Sequence, residues 1–241
     1  MTAFRLLRAL APLDDGRRAG HSGNVDERSL RWFPGDGLAP RFARALARRR
    51  AVPMKELAEA FEFFAAVRKD LRAAELADLC AGHGLVGALF ALHERRLERV
   101  HLVDRRTPPN RAAVLEAAAE VGPWVRETLV EHEAPLAALA GRLPAGTAVA
   151  AVHACGLRTD RCLDLALELG GPVALMPCCH SHRRCESSPA LARALGHEVA
   201  IDVARTYRME AAGLRVRWTE VPEVITPRNR VLVGRPPRRS G

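Results

Sequence analysis

The stretch Ala77-Asp78-Leu79-Cys80-Ala81-Gly82-His83-Gly84-Leu85-Val86-Gly87 decides the fold. It follows a short apolar run and opens a helical pattern. A strand, a glycine turn and a helix N-terminus in that order build a site for a nucleotide-like ligand. Gly82, Gly84 and Gly87 also spell G-x-G-x-x-G, the spacing associated with dinucleotides.

Outward from this loop, from residue 74 onward, strands and helices alternate. Short apolar runs fall at 74–79, 99–103, 127–131, 147–153 and 172–177. Helical patterns lie between them, most clearly Arg111–Val121 and Thr159–Leu169. This is the βαβ signature of a parallel sheet with helices on both faces, an α/β fold. Ser188-Pro189 reads as an N-cap followed by proline at the first helical position, with Gly196 at the end. Val203–Ala212 is a further helix closed by Gly213. The last two strand candidates, 214–221 and 230–234, are joined by Pro222 to Asn229. That connection leaves no room for a crossover helix, so the pair is expected to be antiparallel.

Before residue 74 the pattern is helical. Met1 to Leu13 alternates Arg with Leu and Ala and reads as a short amphipathic helix, with Thr2 as its cap. Residues 14–38 are rich in Gly, Asp, Arg and Ser and read as a loop or arm. Arg41 to Arg50 suggests a short basic helix. Met54, Leu57, Phe61, Phe64 and Leu71 then recur at helical spacing, as a face turned to the core. The expected division is an N-terminal helical extension over 1–70 and an α/β domain over 71–241.

The 241 residues, 48% of them hydrophobic, suffice for a full core. No apolar run reaches the length of a membrane span and no signal-peptide cleavage pattern is present, so no membrane partner is expected and the expected location is cytoplasmic. Six cysteines fit a reducing compartment better than a disulfide framework, and they cluster. The net charge of +9 favours polyanionic partners, although lysine occurs only at Lys55 and Lys69 and the Arg- and Ala-rich composition itself resembles that of a GC-rich genome.

Five parallel-type strands, a sixth and a reversed seventh resemble the class I S-adenosylmethionine (SAM)-dependent methyltransferases. The resemblance implies a Rossmann-like seven-stranded sheet whose last strand is antiparallel, and SAM as cofactor. Asp78 favours the same reading. Methyltransferases of this class carry an acidic residue before Gly-x-Gly, near the cationic methionine end of the cofactor. A pyrophosphate there would be repelled by a carboxylate. Asp104 ends the second strand in Val100-His101-Leu102-Val103-Asp104, where a carboxylate accepts ribose hydroxyls. Cys80, Gly82 and Gly84 line the same loop, and Glu133 after the third strand matches the family's adenine contact, with Glu131 and His132 as competitors.

The fourth strand candidate ends Ala151-Val152-His153-Ala154-Cys155-Gly156, with Asp160 downstream. The fifth ends Met176-Pro177-Cys178-Cys179-His180. Neighbouring strand ends form the crevice of a doubly wound sheet, so the two clusters are expected to converge there. His-x-Cys-Gly followed by Cys-Cys-His is similar to the tRNA acceptor-stem ribose 2′-O-methyltransferases and related methyltransferase-like proteins, over about residues 50–235. The zinc-finger modules of the eukaryotic tRNA enzymes are not found here.

Three readings of this constellation stand side by side. His153, Cys155, Cys179 and His180 can shape a pocket that orients a hydroxyl, with a histidine as general base. Cys178 after Pro177 can be a nucleophile, as in RNA cytosine-C5 methyltransferases. Cys178, His180 or His182, and Cys185 can bind zinc. The first is preferred, with no metal. Arg183 and Arg184 are candidates for RNA phosphates, and Asn229 for the crevice lining. The expected function is SAM-dependent methylation of RNA, with a tRNA ribose hydroxyl favoured. The alternatives are methylation of a small molecule or protein, or an RNA-binding factor without turnover.

Overall fold

The computed structural model describes residues 3–10, 23–180 and 187–237. Thr2, His182, Arg183, Arg184 and Cys185 lie outside the described residues, as does 11–13 of the expected first helix. One seven-stranded sheet runs in the order β3-β2-β1-β4-β5-β7-β6. Its strands are β1 (Glu75–Leu79), β2 (Arg99–Asp104), β3 (Leu129–Glu133), β4 (Ala148–Val152), β5 (Val173–Met176), β6 (Arg215–Glu220) and β7 (Arg230–Arg235). The first five pair in parallel. β7 inserts antiparallel between β5 and β6. This is the Rossmann-like sheet with reversed last strand expected from the sequence.

Each inner strand is apolar on both faces because helices cover both, and side chains alternate with period two. Leu76, Ala148, Ala150, Val152, Ala174 and Met176 join one hydrophobic cluster. Ala77, Leu79, Val149, Ala151, Val173 and Leu175 join the other. The first cluster is completed by α1 (Leu38–Arg49), α2 (Met54–Val67), α3 (Leu85–His93) and α4 (Arg111–Val121). The second is completed by α6 (Leu157–Leu169) and by Met209 of α8 (His197–Ala211). Two short helices, α5 (Val125–Thr128) and α7 (Pro189–Leu195), complete the set. Among the described residues, no helix is long and apolar enough to cross a membrane.

The aromatic face of α2 is core, as its spacing predicts. Phe61 stacks on Phe42 of α1 at 5.8 Å, and Phe64 meets Phe90 of α3 edge-on at 4.9 Å. Four local expectations need correction. The described part of the first segment, 3–10, is not an α-helix; its only helical turn is a 3-10 turn at 8–10. Its N–H groups go elsewhere: Glu62 of α2, fully buried, accepts from the backbone of Arg5, Leu6 and Leu7 at 2.7–2.9 Å. The arm at 14–38 contains a 3-10 helix, Glu27–Trp32, capped by Asp26, and α1 begins at Leu38. β3 begins two residues later than expected, because Val125–Thr128 close a helical turn. The helix expected from Val203 begins at His197, directly after Gly196.

Candidate active site

β1 and β4 are neighbours from which the sheet is built in opposite directions, so their carboxyl ends bound the crevice of a doubly wound fold. A cleft of about 1330 Å³ opens there. That exceeds the ~300–1,000 Å³ of pockets for single small ligands. Cys80, Asp104 and Glu133 form one side of it, and Cys155, Gly156 and Cys179 another. Five of the sequence-derived site residues therefore meet in one cavity.

The glycine loop is tied down on all sides. Cys80, Gly82 and Gly84 have φ of 57°, 51° and 79°, the left-handed region that glycine tolerates and cysteine does not favour. Asp104 Oδ2 accepts from the Gly82 N–H at 2.9 Å, and its Oδ1 accepts from Arg105 N at 2.7 Å. Fully buried Arg111 grips the Gly82 carbonyl through Nε and a terminal nitrogen, at 2.8 and 2.6 Å. An ionised carboxylate has about four acceptor sites, so Asp104 retains capacity for hydroxyl donors. Glu133 is exposed and accepts from Thr107 N at 3.0 Å, which holds its carboxyl below the usual range. A hydrogen bond from Cys162 lowers the Cys80 thiol and raises that of Cys162.

Asp78 sits differently from its expected place beside the ligand. Period two puts it on the Leu76 face of β1, beneath α3. There it is 2% exposed, and its Oδ2 accepts from Gly87 N at 2.9 Å. Burial pushes its pKa from 3.8 to about 7, against the opposing pull of the Gly87 N–H and Arg111. Asp78 is not among the residues lining the cleft.

The histidine–cysteine constellation divides in two. Cys155 and Cys178 approach to 3.0 Å between sulfurs, and Cys179 is close by. Cys178 is raised well above the ordinary thiol range by burial and by hydrogen bonding to Cys155. The two histidines face other partners. His180 is buried, with Nε2 2.9 Å from Asp202, which is also bound by Arg205 and Arg230. Its Nδ1 is buried without a hydrogen bond. His180 Nε2 is thus engaged by Asp202 of α8; the other members of the alternative zinc reading, His182 and Cys185, lie outside the described residues. His153, at φ 65°, is partly exposed and points Nε2 at Glu59 of α2, 3.1 Å away.

Glu59 and Glu56 are the residues that sequence reasoning missed. Both come from α2, which packs on α3 and so reaches the loop end of the sheet. Glu56 meets His83 of the glycine loop at 2.8 Å, and that bond lowers its pKa. Buried Glu59 is shared between His153 and Lys55. Burial works to raise its pKa, but the bonds and charges of His153 and Lys55 outweigh it and leave it lowered. Glu56 and Glu59 both lie between the apolar-stripe positions of α2, where a charge carries no signal by itself.

No protein-family model and no curated protein matches the sequence. Solved structures do match. A Klebsiella pneumoniae protein provisionally assigned as an O-methyltransferase aligns at TM-score 0.51 and 15% identity, over 85% of this chain and 92% of its own. The likeness is one of fold, the Rossmann-like methyltransferase fold. A SAM-dependent methyltransferase from Aquifex aeolicus aligns at TM-score 0.46 and 13% identity, over 80% of this chain and 97% of its own. The Methanococcus jannaschii fibrillarin pre-rRNA processing protein aligns at TM-score 0.45 and 16% identity, over 68% of this chain and 66% of its own, a little under two thirds.

Proposed function

We propose that this methyltransferase-fold chain binds SAM and transfers its methyl group to RNA, with a tRNA ribose 2′-hydroxyl as the favoured acceptor. The observation that carries the cofactor assignment is Asp104, fixed by the Gly82 N–H at the head of the cleft with acceptor capacity left for a ribose. Cys80, Gly82 and Gly84 shape the nucleoside side, and Glu133 stands at the adenine side. Asp78 supports the loop from beneath. When bound, SAM supplies an electrophilic methyl group. The chain's own task is to orient the acceptor in line with it and to take up the proton.

His153 is our candidate for that proton. It is partly exposed just beyond the end of β4, and its Nε2 lies at ion-pair distance, 3.1 Å, from Glu59 Oε2. Cys155 and Cys179 line the acceptor side. His180 serves through Asp202 as a positioning residue. The proposed division is an extension over 1–70 and a methyltransferase domain over 71–241, and from the extension α2 brings Glu56 and Glu59 to His83 and His153. RNA is favoured by the net charge of +9 together with Arg105, Arg158 and Arg161 on the cleft wall. Asp164 and Glu168 on the same wall support the second reading, a small-molecule or protein acceptor.

Calorimetric titration with SAM tests the cofactor. The wild type should bind, and Asp104→Ala should weaken binding roughly 10- to 100-fold, the loss of one charged hydrogen bond at ~1.5–3 kcal/mol. Absence of binding by the wild type refutes the assignment. Labelled SAM offered with total RNA or total protein then identifies the acceptor. Label confined to protein refutes RNA.

A further inference from the structure

We propose that Cys155, Cys178 and Cys179 bind one thiophilic divalent cation, Zn²⁺, through three sulfurs, with the fourth coordination position open to the cleft. All three sulfurs lie within 4.8 Å of one another, and the Cys155–Cys178 separation is 3.0 Å. Tetrahedral zinc with Zn–S bonds of ~2.3 Å sets its sulfurs ~3.8 Å apart. That value lies between the 3.0 Å of the Cys155–Cys178 pair and the 4.8 Å within which all three sulfurs fall.

The fold holds the two contributing loops together. β4 and β5 run side by side, with Val152 opposite Met176 at their carboxyl ends. Just beyond them, Gly156 N donates to the Cys179 carbonyl at 3.3 Å. Cys155 and Cys178 thus leave adjacent strands with the same heading, and the short loops bring their thiols face to face.

The donor set selects the ion. Among the described residues, no histidine nitrogen or carboxylate joins the group at that distance. An all-sulfur set suits Zn²⁺ and rejects Mg²⁺ and Ca²⁺, which require oxygen. His180, next in the chain, is committed to Asp202. Cys155 and Cys179 line the cleft, so the remaining position faces space that solvent or a substrate atom reaches. Three protein ligands with an open fourth position is the arrangement of reactive rather than purely structural zinc. Each thiol gives its proton to solvent as its sulfur takes the metal, so binding weakens on acidification. This inference does not depend on the methyl-transfer reading.

The full-length protein, purified under reducing conditions without chelator, is titrated with Zn²⁺ against a chromophoric competitor, and its metal content is measured. We expect one zinc per chain in the wild type and in Cys162→Ala. Cys155→Ser and Cys178→Ser should lose it, with at least a 100-fold weaker affinity and an unchanged far-ultraviolet dichroism spectrum. Cobalt(II) provides a readout that does not depend on variants: sulfur-to-cobalt charge-transfer absorption must appear in the wild type, and zinc must abolish it. A reduced wild type that takes up no zinc overturns the proposal. So does undiminished zinc binding by the Cys155→Ser, Cys178→Ser, Cys179→Ser triple variant. SAM titration of the same samples reports separately on the cofactor reading, so either can fail without the other.

Discussion

At the scale of single residues, Asp78 has the sharpest consequence. A carboxyl in the core can ionise only at the expense of its solvation, and one N–H from Gly87 does not compensate. Its pKa rises from 3.8 to about 7. The folded state then holds a proton that the unfolded state has released, across the window between those values. Stability contributed by this residue is full below about pH 4, falls as pH rises, and is lost above about pH 7. Asp78→Asn keeps an oxygen for the Gly87 N–H and removes the titration. In urea unfolding, the stability difference between wild type and Asp78→Asn should therefore shift by up to about 4 kcal/mol between pH 4 and pH 8, with the wild type losing ground. A difference that stays flat with pH would mean that Asp78 is ionised throughout. Gly87 carries the complementary constraint: a Cβ there would lie 2.2 Å from Leu102 Cδ2, so glycine permits the close approach of α3 to β2.

At the scale of elements, α2 joins the N-terminal segment to the site. Its apolar side packs on α1 and α3, while Glu56 and Glu59 reach His83 and His153. Glu62, also on α2, gathers three backbone N–H groups of the 3–10 segment. Glu62→Ala removes the acceptor from one buried and two partly buried N–H donors and should cost about 2–4 kcal/mol in urea unfolding. Hydrogen exchange at Arg5, Leu6 and Leu7 should accelerate before exchange in β1. Equal acceleration in both would indicate global rather than local loosening. The sheet was legible beforehand because strand length, glycine turns and the missing crossover at 222–229 are local signals. The meeting of Cys80, Asp104, Glu133, Cys155 and Cys179 followed from the rule that ligands sit at the strand ends. The role of α2 was not legible. Glu56, Glu59 and Glu62 look like ordinary surface charges in a helical stripe, and, Lys55 apart, their partners His83, His153 and the 3–10 segment lie 27 or more positions away in the chain. The same limit applies to His180, whose partner Asp202 belongs to a helix expected to begin one residue after it.

At the scale of the whole molecule, charge decides how an acceptor would be met. Many of the arginines are internally occupied: Arg205 and Arg208 pair with Asp160, Arg217 and Arg235 with Asp70, and Arg228 with Glu198. These are structural and leave little field at long range. Arg105, Arg158 and Arg161 line the cleft with no ion pair within 4 Å among the described residues, so at the cleft they are cations open to a polyanion. If they contact phosphates, each contact releases counterions, and binding to a single strand weakens as about the 0.7 power of salt for each phosphate. Three contacts predict a roughly 20-fold loss of RNA affinity between 50 and 200 mM salt. Arg158→Ala with Arg161→Ala should flatten that slope by about two contacts while leaving SAM affinity within about twofold, because both belong to α6, after β4, two strands along the sheet from the β2 end that carries Asp104. Fluorescence anisotropy with a labelled tRNA over a salt series measures both quantities. A slope unchanged by the double substitution would move the RNA path away from this wall. A wild-type affinity indifferent to salt would instead favour the small-molecule or protein acceptor, since the charge of +9 would then have no role in recognition.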